Sequence, residues 1–160
     1  MITACNPKAI PTVIFPAKPQ TDKTPAPQTP AKIIGSATVN IFARDILNPA
    51  PDGTVSPVQV RVYLTDDEAI FDGISFEKVF EFEGQTFDLK PKLTRTIQPG
   101  SLASIKLELA NDETIIAIAV AFRDIGRTEW LKLVRIDSTK STSISFVLSD
   151  FTVKHESEVS

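Results

Sequence analysis

The chain has 160 residues and a net charge of −3, and is 42% hydrophobic and 23% charged, values that suit one globular domain with an appendage. Residues 1–35 hold Lys8, Lys18, Lys23 and Lys32 against a single acid, Asp22, and seven of the twelve prolines; the rest of the chain therefore carries −6. An acidic body argues against a nucleic-acid partner, which calls for a basic domain or stripe, and the longest apolar run, residues 115–122, is far shorter than the roughly 20 residues of a membrane-spanning helix.

One cysteine, Cys5, is present, so neither an intramolecular disulfide nor a cysteine-based metal site is available. Residues Ile2-Thr3-Ala4-Cys5 resemble the bacterial lipobox, in which small side chains beside the cut admit the signal peptidase and the cysteine thiol is the acylation nucleophile. A secretory signal also needs a basic start and an apolar stretch of about 7–15 residues; the four residues before Cys5 leave no room for these, so the natural chain is expected to begin further upstream. From Asn6 to Gly35 prolines recur among Lys, Thr, Ala and Gln without helical or strand periodicity, the composition of a spacer. Fully extended at about 3.1 Å per residue it would reach roughly 90 Å. Residues 1–35 are thus expected to be a proline-rich, disordered tether carrying acyl chains on Cys5, and Asn6 is compatible with outer-membrane sorting.

Alternation begins at Ser36. Val39, Ile41 and Ala43 fall on one side of the first run with Thr38, Asn40 and Phe42 on the other, and Val58, Val60, Val62 and Leu64 oppose Gln59, Arg61 and Tyr63 in the second, as in strands with one buried face. Between residues 66 and 82 the period changes. The acids Asp66, Asp67 and Glu68 precede Ala69-Ile70-Phe71, and Ser75 is placed to cap a turn in which Phe76, Val79 and Phe80 recur at helical spacing, predicting a small helical insertion. Further strands are expected at 95–98, 105–109, 115–122, 130–136, 144–148 and 151–154, punctuated by Pro99-Gly100, Asn111-Asp112 and Asp137-Ser138. Run 115–122 is apolar on both alternating faces, so it is predicted to be central, with a second sheet on one face and the helical insertion on the other. The expected fold is mainly β, a two-sheet antiparallel β-sandwich over residues 36–160.

Catalytic chemistry is sparse. The one histidine, His155, lies near the end of the chain, so a histidine triad or a multi-histidine metal centre is unavailable. No glycine-rich phosphate loop or calcium loop is present. Solvated strand faces and helix starts account for the carboxylates better than a two-carboxylate glycosidase. The reading is a binding protein, not an enzyme, with no metal, no cofactor and no small-molecule substrate.

Residues 44–57, R-D-I-L-N-P-A-P-D-G-T-V-S-P, join the first two strands, where two to five residues suffice for neighbouring strands. Asn48-Pro49, Asp52-Gly53 and Ser56-Pro57 preset the backbone, which lowers the entropy lost on docking a partner. With Val58, Val60, Arg61, Val62, Tyr63 and Leu64, then Phe71, Phe76, Pro99-Gly100, Val120-Ala121-Phe122-Arg123-Asp124 and Trp130, this ordered set resembles the TssJ family (SciN/VasD-like), outer-membrane lipoproteins of the type VI secretion system.

The resemblance implies a transthyretin-like sandwich, anchored through acylated Cys5 to the periplasmic face of the outer membrane. It also implies binding to the C-terminal periplasmic region of TssM, which with TssL completes the membrane complex. Carried over to this loop, it makes Leu47, Asn48, Pro49, Pro51 and Asp52 the expected contact residues. Arg123 and Asp124 are either a second recognition feature or a salt-bridged strand end, the latter preferred, and Trp130 is expected as a core anchor. The alternatives are an unrelated lipid-anchored sandwich, glycan-binding or pilotin-like, and, less favoured, a periplasmic glycan hydrolase.

Overall fold

The computed structural model describes residues 32–80, 89–110 and 113–156. Cys5, the tether as far as residue 31, the end of the helical insertion and the Asn111-Asp112 turn lie outside them. Among the described residues eight strands form, each on one of the expected runs: β1 (Ile33–Leu47), β2 (Val58–Thr65), β3 (Leu93–Ile97), β4 (Leu102–Ala110), β5 (Ile115–Ala121), β6 (Leu131–Arg135), β7 (Ser141–Asp150) and β8 (Thr152–His155). They make two four-stranded sheets, ordered β4-β1-β7-β8 and β3-β2-β5-β6. The chain changes sheet at β1–β2, β3–β4, β4–β5 and β6–β7, the crossings of a sandwich.

All strand pairs are antiparallel except β1 and β7, which run parallel from Ser36↔Ser141 to Ala43↔Leu148. This pair departs from the all-antiparallel expectation. Alternation records which face of a strand is buried but not which strand lies beside it, and these two are about a hundred residues apart.

The sandwich interior follows the period-2 pattern. Val39, Ile41 and Ala43 of β1, Val58, Val60, Val62 and Leu64 of β2, Ile116, Ile118 and Val120 of β5, and Phe146 and Leu148 of β7 are buried in one cluster between the sheets. Truncating any one of the large members to alanine would cost about 2–5 kcal/mol.

The other face of β5 is buried too. Ala117 and Ala119 pack with Tyr63, Phe71 and Val79 under the insertion, which consists of a 3-10 turn (Glu68–Phe71) and α1 (Phe76–Phe80). Ser75 caps as the sequence predicts, and of the three acids at the first turn Asp67 is the cap. The Asp67 carboxylate accepts from the Ala69 N–H at 2.9 Å, and the Ser75 hydroxyl accepts from the Lys78 N–H at 3.3 Å. Trp130 packs edge-on to Phe76, 5.5 Å between ring centroids, and touches both clusters, as a core anchor should.

One expectation about this face changes, and one about the last strand. Arg61 and Tyr63 are not solvent-facing: they are 6% and 1% exposed. The Arg61 guanidinium donates to the Val79 carbonyl and lies over the Phe80 ring, 5.1 Å from its centroid. The insertion roofs the outer side of β2 as well as that of β5, which a two-residue period cannot reveal. His155 belongs to β8 rather than lying beyond the last strand, its ring 6.0 Å from that of Phe146.

The turns match their sequence signals. Ser101 N–H donates to the Gln98 carbonyl at 3.2 Å across Pro99-Gly100, with Gly100 at φ 72°, the arrangement of a type II turn. At the opposite end, Lys140 N–H closes the Asp137 turn at 3.2 Å.

Candidate partner-binding site

The first strand is longer than its alternation suggests at both ends: residues 33–35, expected as the end of the tether, begin β1, and residues 44–47, expected as loop, continue it. Ala43 pairs with Leu148 and Leu47 with Asp150, four positions on β1 against two on β7, so two extra residues bulge outwards here. The bulge leaves Ile46 58% exposed and returns Leu47 to the core at 0%. On its other side Gly100 N–H donates to the Arg44 carbonyl at 3.2 Å.

The connection to β2 therefore starts at Asn48, and Asn48 is its keystone. The residue sits in the left-handed region, φ 49°, which asparagine tolerates better than most side chains. Its N–H donates to the Asp150 carbonyl at 2.7 Å, and its Oδ1 accepts from the Arg123 N–H at 2.7 Å. One 6%-exposed residue thus fastens the end of β1 to the β7–β8 corner through its backbone and to the segment after β5 through its side chain.

Beyond it the loop is bonded to itself. Gly53 N–H donates to the Ala50 carbonyl and Ala50 N–H to the Thr54 carbonyl, both at 2.8 Å, and Ser56 N–H returns to the Leu47 carbonyl at 3.1 Å. Gly53 takes φ 84°. The Asp52 carboxylate accepts from the Thr54 N–H at 2.9 Å; that bond, chiefly, with the positive charge of Arg123 as a smaller cause, holds the carboxyl below its ordinary value of 3.8.

The five expected contact residues consequently divide. Leu47 and Asn48 are buried, and their side chains build the base of the loop. Pro51 and Asp52 are exposed and Pro49 partly so. The exposed stretch continues through Gly53, Thr54 and Val55, the last at 39%. Asn48 precedes a proline, so its turn was legible in the sequence, whereas nothing in residues 44–47 announced that Leu47 returns to the core.

Arg123 and Asp124 come to the same place. Arg123 Nη2 donates to the Ser56 hydroxyl at 3.1 Å, while an Asp124 carboxylate oxygen accepts from the Gly126 N–H at 3.2 Å and caps the 3-10 turn Ile125–Arg127. They are therefore not the salt-bridged strand end preferred from the sequence: one braces the loop and the other a turn. Together with Pro49, Ala50, Pro51 and Phe151 they line a depression of about 280 Å³. The sequence reading missed Phe151 as a wall, and Ile125, 41% exposed, as a neighbour in chain. Among the described residues no group of three His, Cys, Asp or Glu could hold a metal ion, and no helix is long and apolar enough to cross a membrane.

A rigid proline-bearing loop at one end of a two-sheet sandwich is the arrangement the ordered motif set implied. The family of type VI secretion lipoproteins that includes VasD, EvfM and TssJ matches residues 36–153. The chain belongs to this family.

Solved structures agree on the fold of this type VI secretion lipoprotein. It is similar to TssJ1 of Pseudomonas aeruginosa, with a TM-score of 0.70 at 18% identity, over 76% of this chain and 94% of that one. Serratia marcescens Lip, described as a membrane-bound component of the type VI secretion system, gives 0.65 at 12% identity over 75% and 96%. A chain in the structure of the TssM C-terminal domain from EAEC gives 0.62 at 22% identity over 75% and 96%. Curated protein sequences give no significant match.

Proposed function

We propose that this protein is anchored to the periplasmic face of the outer membrane by acyl chains on Cys5 and binds the C-terminal periplasmic region of TssM through the exposed part of the β1–β2 loop, residues 49–55. In this reading it holds TssM, and through it TssL, to the outer membrane. The role is mechanical and non-catalytic.

The observation that carries the reading is the loop's construction. Four backbone hydrogen bonds, from Asn48, Ala50, Gly53 and Ser56, and two side-chain clamps, from Asn48 and Arg123, fix a tip that is exposed. A tip ordered before binding loses little further entropy on docking. Membership of a lipoprotein family and the fold shared with a chain from a TssM C-terminal domain structure support both the partner and the anchor. Each buried acyl methylene contributes about 0.8 kcal/mol, and a single chain attaches only reversibly, so several chains on Cys5 suit a load-bearing anchor.

Calorimetric titration of the full chain with the C-terminal periplasmic fragment of the cognate TssM tests the partner. Micromolar or tighter binding is expected on the general scale of specific contacts, and it should be lost when residues 49–54 are replaced by Gly and Ser with the melting temperature kept. An absence of binding by the unaltered chain refutes the partner. For the anchor, Cys5→Ala is expected to move the protein out of the membrane fraction in cells lacking TssM; its retention there refutes lipidation as the attachment.

A further inference from the structure

The depression beside the loop tip has a chemistry of its own. Pro49, Ala50, Pro51 and Phe151 give it apolar walls, while Arg123 and Asp124 stand at its polar side. Its volume of about 280 Å³ falls just under the roughly 300–1,000 Å³ of small-molecule sites, so it suits one or two side chains rather than a cofactor. The walls are held in place. Phe151 packs edge-on to the core residue Phe122, 6.4 Å between centroids, and Ala50 is bonded through its N–H to Thr54 and through its carbonyl to Gly53.

The charged side is directional as well. Arg123 presents five N–H donors in a planar fork, of which one serves Ser56 at 3.1 Å, and the residue is exposed. Asp124 is committed to its turn, with a carboxylate oxygen on the Gly126 N–H. A guanidinium beside an apolar wall favours a carboxylate, which can take two parallel N–H bonds at once.

We infer that the depression formed by Pro49, Ala50, Pro51 and Phe151 is an anchor pocket that receives an apolar side chain of the partner, and that Arg123 binds a carboxylate adjacent to that side chain. The inference rests on TssM being the partner and specifies what the bound TssM segment must carry: a large apolar residue flanked by an acid. Loop tip and pocket then form one continuous contact, with the buried anchor at its centre and the charge at its rim, the usual anatomy of a binding hot spot.

Ala50→Trp, which fills the pocket from its own wall, is tested against the periplasmic TssM fragment, with Ala50→Val as a milder filling should the tryptophan lower the melting temperature. The expected result is a loss of affinity of about tenfold or more for Trp, the scale of a hot-spot residue, and a smaller loss for Val. Binding by folded Ala50→Trp within twofold of the unaltered chain overturns the pocket.

Arg123→Gln is titrated with the same fragment over a salt series. If Arg123 binds a carboxylate, the unaltered chain weakens with salt and the variant does so less steeply. An equal fall in affinity at every salt concentration means that Arg123 only braces the loop, and overturns its assignment. Failure of the unaltered chain to bind TssM at all is a separate result, which removes the partner and not merely the pocket.

Discussion

Asn48 concentrates two physical effects that substitution can separate. Its Oδ1 holds the Arg123 N–H at 2.7 Å in a part-buried setting, a bond with a net contribution of about 1 kcal/mol, with more lost if the N–H is left dry. Its backbone sits at φ 49°, which costs an ordinary L residue about 1–2 kcal/mol and glycine almost nothing. Asn48→Ala therefore loses the bond and takes on the strain, about 2–3 kcal/mol in all. Asn48→Gly loses the bond and adds about 0.5 kcal/mol through the greater freedom of its unfolded chain, for about 1.5 kcal/mol. Urea denaturation of both variants measures the gap, expected at roughly 1 kcal/mol in favour of glycine. Glycine as costly as alanine would refute the left-handed argument, and two variants as stable as the parent would refute the clamp. Because the bond fixes the loop, both should also bind the TssM fragment more weakly than the parent.

Three further outcomes follow from particular contacts. Gly35 lies against the β6–β7 turn, where an added Cβ would overlap the Ser138 carbonyl and come within 3.0 Å of the Lys140 carbonyl. Gly35→Ala is expected to cost about 1–3 kcal/mol, as overpacking does, and an unchanged urea midpoint would contradict that close approach. Arg61→Met takes the donor from the Val79 carbonyl and the cation from the Phe80 ring, with an expected loss of about 1–2 kcal/mol; a stability equal to the parent's would mean that the desolvation cost of the guanidinium cancels its contacts. For Asp52 the folded carboxyl lies below its ordinary 3.8, so the stabilisation from its bond to Thr54 is complete above that value and is lost as pH falls through the lowered one. The protection of the Thr54 amide, its exchange rate relative to an unstructured peptide at the same pH, should fall on such acidification and stay constant in Asp52→Asn; the same acid-induced loss of protection in that variant would exclude Asp52 as the cause.

Much of the fold is written locally. Val58, Val60, Val62 and Leu64 alternate because every second residue of a strand meets the core, and that rule places β2 and β1 as far as Ala43. The doubly apolar run 115–122 announces a strand covered on both sides, and Asp67 and Ser75 mark the two short helical segments at whose starts they sit. Pro99-Gly100 specifies its turn because only glycine takes φ 72° there without strain.

What the sequence left open concerns neighbours distant along the chain. Arg61 and Tyr63 read as the outward face of β2 because the period says which residues share a side, not what roofs that side; the insertion does so. The parallel β1–β7 pair and the two-residue bulge that carries Leu47 back into the core are settled by strand packing, since residues 44–47 have no alternation to declare them. The loop was visible as a proline-rich connection. Its working parts were not, because the bond from the Arg123 N–H to Asn48 spans 75 positions and that from its side chain to Ser56 spans 67. Local propensity sets each element, and only the closing of two sheets upon each other brings the end of β1, the corner of β7 and β8 and the segment after β5 to one place.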